Sequence, residues 1–266
     1  MNPNEAGVNT EGTPELTVHG AVASICLRRP SQRNSLHDID LHTLLEQFAQ
    51  INADPAVRVL VLRADTCGQH HPVFCAGYHV GGFDSGEHDP QLFEQVPDAL
   101  EGLRPITLCA LGGSVYGGAT DLVLACDLRL ALAGSVLRMP AAALGLHYYP
   151  GGLRRYVGHL GLNLAQRAFL TAEPMAVEIL QQQSGLFHQV VETEDFEAAV
   201  EALVNKVAAL APLAAQLTKQ SLVDLACGRA EPATLRAREA QTLQSQDFAE
   251  GRTAMAERRS PGFIGR

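Results

Sequence analysis

Residues Leu108–Asp127 read L-C-A-L-G-G-S-V-Y-G-G-A-T-D-L-V-L-A-C-D. The apolar run from Ile106 to Leu111 predicts a buried strand. It breaks into glycines, and a second pair, Gly117-Gly118, opens another apolar segment that ends at Asp127. That order gives a strand, a tight loop and the start of a buried helix. Backbone N–H groups at a helix start have no partner inside the helix, and the macrodipole favours negative charge there. An oxyanion therefore has a natural seat at this point. Asp121 follows Gly118 by three residues, which on a helix is one turn away.

Upstream, Glu15–Val18 and Ala21–Leu27, split by His19-Gly20, predict a β-hairpin. Apolar residues at Leu41, Leu44, Leu45 and Phe48 fall at helical spacing between Ile39 and Ile51, and Asp54-Pro55 ends that helix. Val57–Leu62 reads as a short buried strand. A glycine- and histidine-bearing segment, Cys67–Phe83, precedes an acidic loop, Asp84–Asp89, and Gln91–Leu103 predicts a helix. Downstream, Leu128–Ala133 and Val136–Arg138 predict two more strands. This alternation argues for an α/β fold with crossover connections.

Beyond Gly152 the pattern turns helical: Leu153–Leu160, Leu164–Leu170, Met175–Gln182, Asp195–Leu210, Pro212–Ala226 and Pro232–Ala249. Leu186–Val191 is a last strand. Asp195–Leu210 sets Phe196, Val200, Leu203, Val204, Val207 and Leu210 on one face. The expected organisation is a disordered tail over 1–14, an α/β core over 15–192 and a helical region over 193–266.

The chain has 266 residues and a net charge of −9, a balance that argues against nucleic acid or a polybasic membrane contact. No apolar run approaches the ~20 residues of a membrane span. Two lysines, Lys206 and Lys219, stand among 18 arginines. The six cysteines are scattered without a C-x-x-C pair, which suits a reducing, cytoplasmic setting. His70-His71 has no third ligand at metal spacing, so no metal site is expected.

Two glycine-bearing turns follow buried strands: F-C-A-G-Y-H-V (Phe74–Val80) and S-V-Y-G-G-A-T-D (Ser114–Asp121). One N–H from each, converging on one point, would form an oxyanion hole for a thioester or ester carbonyl. Taken singly, each glycine is equally consistent with a plain tight turn.

Taken in order, the motifs carry more. L-R-R-P-S-Q-R-N-S-L (Leu27–Leu36), F-C-A-G-Y-H-V and G-S-V-Y-G-G-A-T-D-L-V-L-A-C-D-L-R-L-A (Gly113–Ala131) resemble the crotonase family of enoyl-CoA hydratases, isomerases and relatives. So do P-A-A-A-L-G-L-H-Y-Y-P-G-G-L-R-R-Y (Pro140–Tyr156), F-L-T-A-E-P-M, A-P-L-A-A-Q-L-T-K and the ending E-R-R-S-P-G-F-I-G-R. The resemblance covers about residues 15 to 266. It implies a β-β-α spiral core with a C-terminal helical trimerisation region, assembled as a homotrimer or as a hexamer of two trimers. It implies an acyl-CoA substrate, with coenzyme A as part of that substrate and no separate cofactor. The N–H groups of Tyr78, after Gly77, and of Gly118 would form the hole. The coenzyme A end would lie near Arg28, Arg33 and Ser35, beside Ala76 and Gly77, and near Phe263 and Arg266.

The resemblance leaves the reaction open. Hydratases of this family look like two-glutamate enzymes, because water must lose a proton to one group while the α-carbon gains one from another. Here the first position holds Asp121 and the second holds Ala141, which transfers no proton. A further acid used by some relatives would fall in His147-Tyr148-Tyr149-Pro150. His147 and Tyr148 are candidates there, as proton shuttle and hydrogen-bond donor or as pocket walls. His79, beside the first turn, reads as a surface or packing residue. One expectation is a hydratase/isomerase-type enzyme with Asp121 as acid/base. A second is a decarboxylase similar to the methylmalonyl-CoA decarboxylase branch, in which Tyr148 would orient the substrate carboxylate. A third is a CoA-binding subunit without catalysis.

Overall fold

The computed structural model describes residues 11–79 and 91–266. The expected tail up to residue 10 and the predicted loop Asp84–Asp89, with Val80–Phe83 before it, lie outside the described residues. The chain forms β1 (Gly12–His19), β2 (Val22–Arg28), α1 (Asp38–Ala53), β3 (Val59–Ala64), β4 (Val73–Cys75) and α2 (Leu92–Glu101). Then come β5 (Ile106–Leu111), β6 (Ser114–Tyr116), α3 (Ala119–Ala125), β7 (Leu128–Leu132), β8 (Val136–Arg138) and α4 (Pro150–Thr171). The rest is β9 (Met175–Ala176), α5 (Val177–Ser184), β10 (Gln189–Val191), α6 (Phe196–Ala208), α7 (Pro212–Ala226), α8 (Pro232–Leu243) and α9 (Gln246–Glu257).

Two sheets result. Six strands run in the order β1-β2-β3-β5-β7-β10 and four in the order β4-β6-β8-β9. Only β1–β2 and β8–β9 are antiparallel; the other pairs are parallel, as crossover connections require. Residues Val59–Leu62 of β3 are buried on both faces, which explains their unbroken apolar run. Leu60 and Leu62 face the larger core with Leu41, Leu44 and Phe48 of α1. Val59 and Val61 face a second core with Leu108, Leu130 and the α6 residues Phe196, Val200 and Val204. The predicted amphipathic face of α6 therefore closes the far side of the large sheet, although Leu210 falls beyond the helix and is exposed.

Several boundaries differ from the sequence reading, each for a local reason. β1 opens at Gly12 rather than Glu15, because Arg28 Nε donates to Thr13 O (2.8 Å) and holds the strand past a register shift. The break expected between Leu153–Leu160 and Leu164–Leu170 is present: Gly161, with a φ of +71°, divides α4 into two helical halves. The helix expected over 232–249 is two, because Ser245 caps α9 by accepting from Phe248 N. α7 matches its expected span and is pinned beneath the sheet. Lys219 Nζ donates to Pro105 O (2.8 Å) and pairs with Asp127 (2.7 Å), which also accepts from Thr107 N and Oγ1.

Candidate active site

Parallel neighbours release their turns at the same end. β4 pairs with β6 through Val73–Ser114 and Cys75–Val115, so Ala76–Tyr78 and Gly117–Gly118 leave the small sheet side by side. Gly77 takes φ +101° and Gly117 φ +57°, conformations open to glycine at no steric cost. The approach is close: a Cβ on Gly77 would stand 2.8 Å from Tyr116 O and 3.5 Å from Gly117 Cα.

The direction of the Tyr78 N–H follows from its pairing. Leu36 N donates to Gly77 O (2.9 Å) and His79 N donates to Leu36 O (2.8 Å), a parallel bridge between Leu36 and Tyr78. In such a bridge the flanking residues use the groups on Leu36's side, so the N–H of Tyr78 is turned to the opposite side. β6, with its glycines, pairs with β4 just before this turn. Gly118 starts α3, and its N–H donates to no other described atom. A Cβ on Gly118 would stand 2.6 Å from Phe93 Cζ.

The loop carrying Arg33 and Ser35 frames the first turn. Ala76 N donates to Arg33 O (2.9 Å), and Ser35 Oγ reaches Gly77 O at 3.5 Å. Buried Asn34, in a left-handed conformation (φ 53°), ties this loop to Asp65 O (2.8 Å) and Val73 O (3.3 Å). The sequence reading missed Asn34. Arg33 is exposed, while Arg28 is engaged with β1. Burial pushes the Cys75 thiol up to about 12, and it donates to Asn34 O (2.9 Å). A thiol in that state is a packing residue rather than a nucleophile.

Phe263 and Arg266 require a correction of place. Phe263 O accepts from Arg58 Nη2 (2.8 Å), and Arg58 immediately precedes Val59, the β2 partner of which is Val22. Arg28 closes the other end of β2, about 20 Å away at ~3.3 Å per residue. Within one chain Phe263 is therefore tied to the end of β2 opposite Arg28.

Asp121 is fully buried on α3 and completely engaged. Arg155, also buried, holds it with two parallel bonds, Nε–Oδ1 at 2.8 Å and Nη2–Oδ2 at 2.7 Å. This fork is the strong form of a carboxylate–guanidinium contact. Tyr149 Oη adds a third donor to Oδ2 at 2.5 Å. Arg155 also reaches Asp98 (2.8 Å) and Glu101 (3.3 Å), and Arg154 pairs with Glu101. Burial works against the charge of Arg155, but the bonds to Asp121 and Asp98 outweigh it and raise its pKa.

In the loop from 147 to 149 the contact to Asp121 comes from a residue that the sequence analysis did not single out. His147 is exposed. Tyr148 is 6% exposed, turned inward against Tyr156 and Phe169, and donates to Tyr149 Oη at 3.1 Å. Tyr149, not Tyr148, reaches Asp121. Burial first, and then the Asp121 charge, push the Tyr149 phenol far above its ordinary range, so it stays a donor. Sequence reasoning missed both Tyr149 and Arg155. Two signals pointed to them: Pro150 at the first helical position makes Tyr149 the helix entry, and a lone acid in an apolar helix demands a buried cation. Ala141, which the family resemblance matches to the second acid of a two-acid site, is buried at the start of a short 3₁₀ turn, Ala141–Leu144. His79 is exposed and stacks on His37 at 4.8 Å, and His70 and His71 meet edge-on at 4.4 Å.

Comparison with known proteins fits this geometry. A sequence profile described as enoyl-CoA hydratase/isomerase matches residues 17–266. The chain is 31% identical over 277 residues to enoyl-CoA hydratase domain-containing protein 2, mitochondrial, of Bos taurus, covering 99% of this chain and 91% of that one. It is 26% identical over 244 residues to methylmalonyl-CoA decarboxylase of Escherichia coli strain K12, covering 87% and 90%. Among solved structures, an enoyl-CoA hydratase from Bacillus anthracis superposes with a TM-score of 0.82 at 23% identity, over 96% of this chain and 100% of that one. The ordered motifs, the paired sheets and the full-length profile match together assign this chain to the enoyl-CoA hydratase/isomerase family, the crotonases.

Proposed function

We propose that the chain stabilises a thioester enolate between the N–H groups of Tyr78 and Gly118 and that its reaction is decarboxylation of a malonyl-type acyl-CoA. The family supplies the acyl-CoA class. The observation that carries the choice of reaction is the bidentate bond of buried Arg155 to Asp121. Both oxygens of Asp121, the carboxylate on α3, are held by donors, and Ala141 offers no second acid. Hydration needs a base for water and an acid for carbon. Decarboxylation needs neither at the bond-breaking step. The Cα–carboxylate bond breaks, CO2 leaves, and the electron pair passes into the enolate that the two N–H groups stabilise.

A second reading, hydration or double-bond isomerisation with Asp121 as acid/base, is favoured by the position of Asp121 one turn from Gly118. It requires Arg155 to release the carboxylate. Incubation with crotonyl-CoA, a 3-enoyl-CoA and methylmalonyl-CoA, followed by mass, separates the two. CO2 loss from methylmalonyl-CoA alone is the expected result; turnover of the enoyl esters alone would overturn it.

We also propose a homotrimer or a hexamer of two trimers. A groove of about 830 Å³ runs between α3, α4 and α7 and is lined by Leu124, Leu128, Ala214, Leu222 and Phe263. Leu222 and Leu225 of α7 are more than half exposed beside it. A neighbouring copy would also bring its Phe263 and Arg266 to an Arg28–Ser35 face, at the end of β2 opposite a chain's own Phe263. Light scattering of the purified chain tests this, with a monomer as the contrary outcome.

A further inference from the structure

Four polar side chains are hydrogen-bonded in series: Arg155, Asp121, Tyr149 and Tyr148. Three are sealed. Asp121 is 0%, Arg155 1% and Tyr148 6% exposed. Tyr149 is half-buried and is the outermost of the four. Its place is set from several sides. It is the residue before Pro150, in extended conformation (φ −75°, ψ 157°), at the entry of α4. Gly152 makes room for it, because a Cβ there would stand 3.0 Å from Tyr149 Cε2 and 2.2 Å from Tyr148 Cε1. Its ring packs 4.3 Å from Tyr148 and 6.1 Å from Phe93, the ring that covers Gly118. Its hydroxyl rests on Asp121 Oδ2, one helical turn from Gly118.

We propose that Tyr149 is the catalytic acid that protonates the α-carbon of the enolate, with Asp121 and Arg155 as the positioning pair that holds its hydroxyl beside Gly118. The proposal rests on the enolate reading above. After CO2 has left, the electron pair of the enolate forms a C–H bond with the Tyr149 proton, the O–H bond breaks, and the phenolate regains a proton from water. Rotation about the Cζ–Oη bond is the movement required to turn the proton from Asp121 to carbon. An unprotonated enolate carbon is a far stronger base than a phenolate, so a phenol of raised pKa still gives up its proton to it. The fixed ring also delivers the proton to one face of the enolate.

Turnover of methylmalonyl-CoA in D2O tests this, because the product carries one deuterium at C2 and its handedness reports which face was protonated. The wild type should yield a single enantiomer. Tyr149→Phe, with its fold checked by circular dichroism and Tm, should yield both, because solvent then protonates either face. Its kcat should fall by about 100-fold, the lower range for a positioned general acid, while KM stays within about threefold. Handedness decides. A Tyr149→Phe product of single handedness would overturn the proposal and leave the decarboxylase reading intact, whatever kcat does. If the wild type converts only crotonyl-CoA, the decarboxylase reading fails. The handedness of deuterium at C2 of the 3-hydroxyacyl product then tests Tyr149 in the same variant.

Discussion

Gly118 shows how little space separates fold from function at the level of one residue. Phe93 leaves no volume for a Cβ there, so Gly118→Ala must push the ring aside or shift the N–H at the start of α3. A lost oxyanion donor costs about 3 kcal/mol, and kcat of the variant should fall on the order of 100-fold while its far-UV circular dichroism stays unchanged. Arg155 presents the opposite case, where structure fails before chemistry. Removing one member of a buried pair leaves an uncompensated charge, which costs about 3–5 kcal/mol. Arg155→Met should lower stability by that amount in urea unfolding, because Asp121 keeps only Tyr149 among its three donors.

At the level of elements, α6 is the clearest test of packing. Phe196 is 8% exposed in the core on the far face of the large sheet, and Phe196→Ala should cost about 3 kcal/mol, read as a lower urea midpoint with an unchanged slope. Long periodic elements such as α1, α6 and α7 were legible in the sequence, since a 3.6-residue pattern over three or four turns has no competing explanation. β4, β6 and β9 were not. Runs of two or three residues barely show a period of two, and of the small sheet that carries both glycine turns only β8 was expected with its bounds. The site was legible in the same uneven way. Gly77, Gly118 and Asp121 stood out as candidates only once the ordered motifs were read together, since each glycine alone fits a plain tight turn. Arg155 and Tyr149 did not, because their meaning lies in contacts about thirty residues distant along the chain, and the inward turn of Tyr148 depends on the room left by Gly152.

For the molecule as a whole, a half-buried histidine sets an acid limit. His159 on α4 is held neutral, its pKa lowered to about 4 by burial and then by the charge of Arg129. Its folded pKa lies below the unfolded value, so the unfolded chain binds the extra proton first. Stability is therefore full above about pH 6.5 and is lost as pH falls toward 4. The loss from pH 7 to pH 5 should be about 2 kcal/mol from this group, and His159→Gln should flatten that part of a Tm-versus-pH curve. Lys219 offers a different handle. Of the two lysines, Lys206 is exposed on α6, whereas the Lys219 amine is locked between Asp127 and the Pro105 carbonyl under α7. Amine-reactive reagents should therefore modify Lys206 quickly and Lys219 only when α7 lifts from the sheet. The ratio of the two rates, read by mass spectrometry, turns a composition poor in lysine into a clock for the opening of one helix.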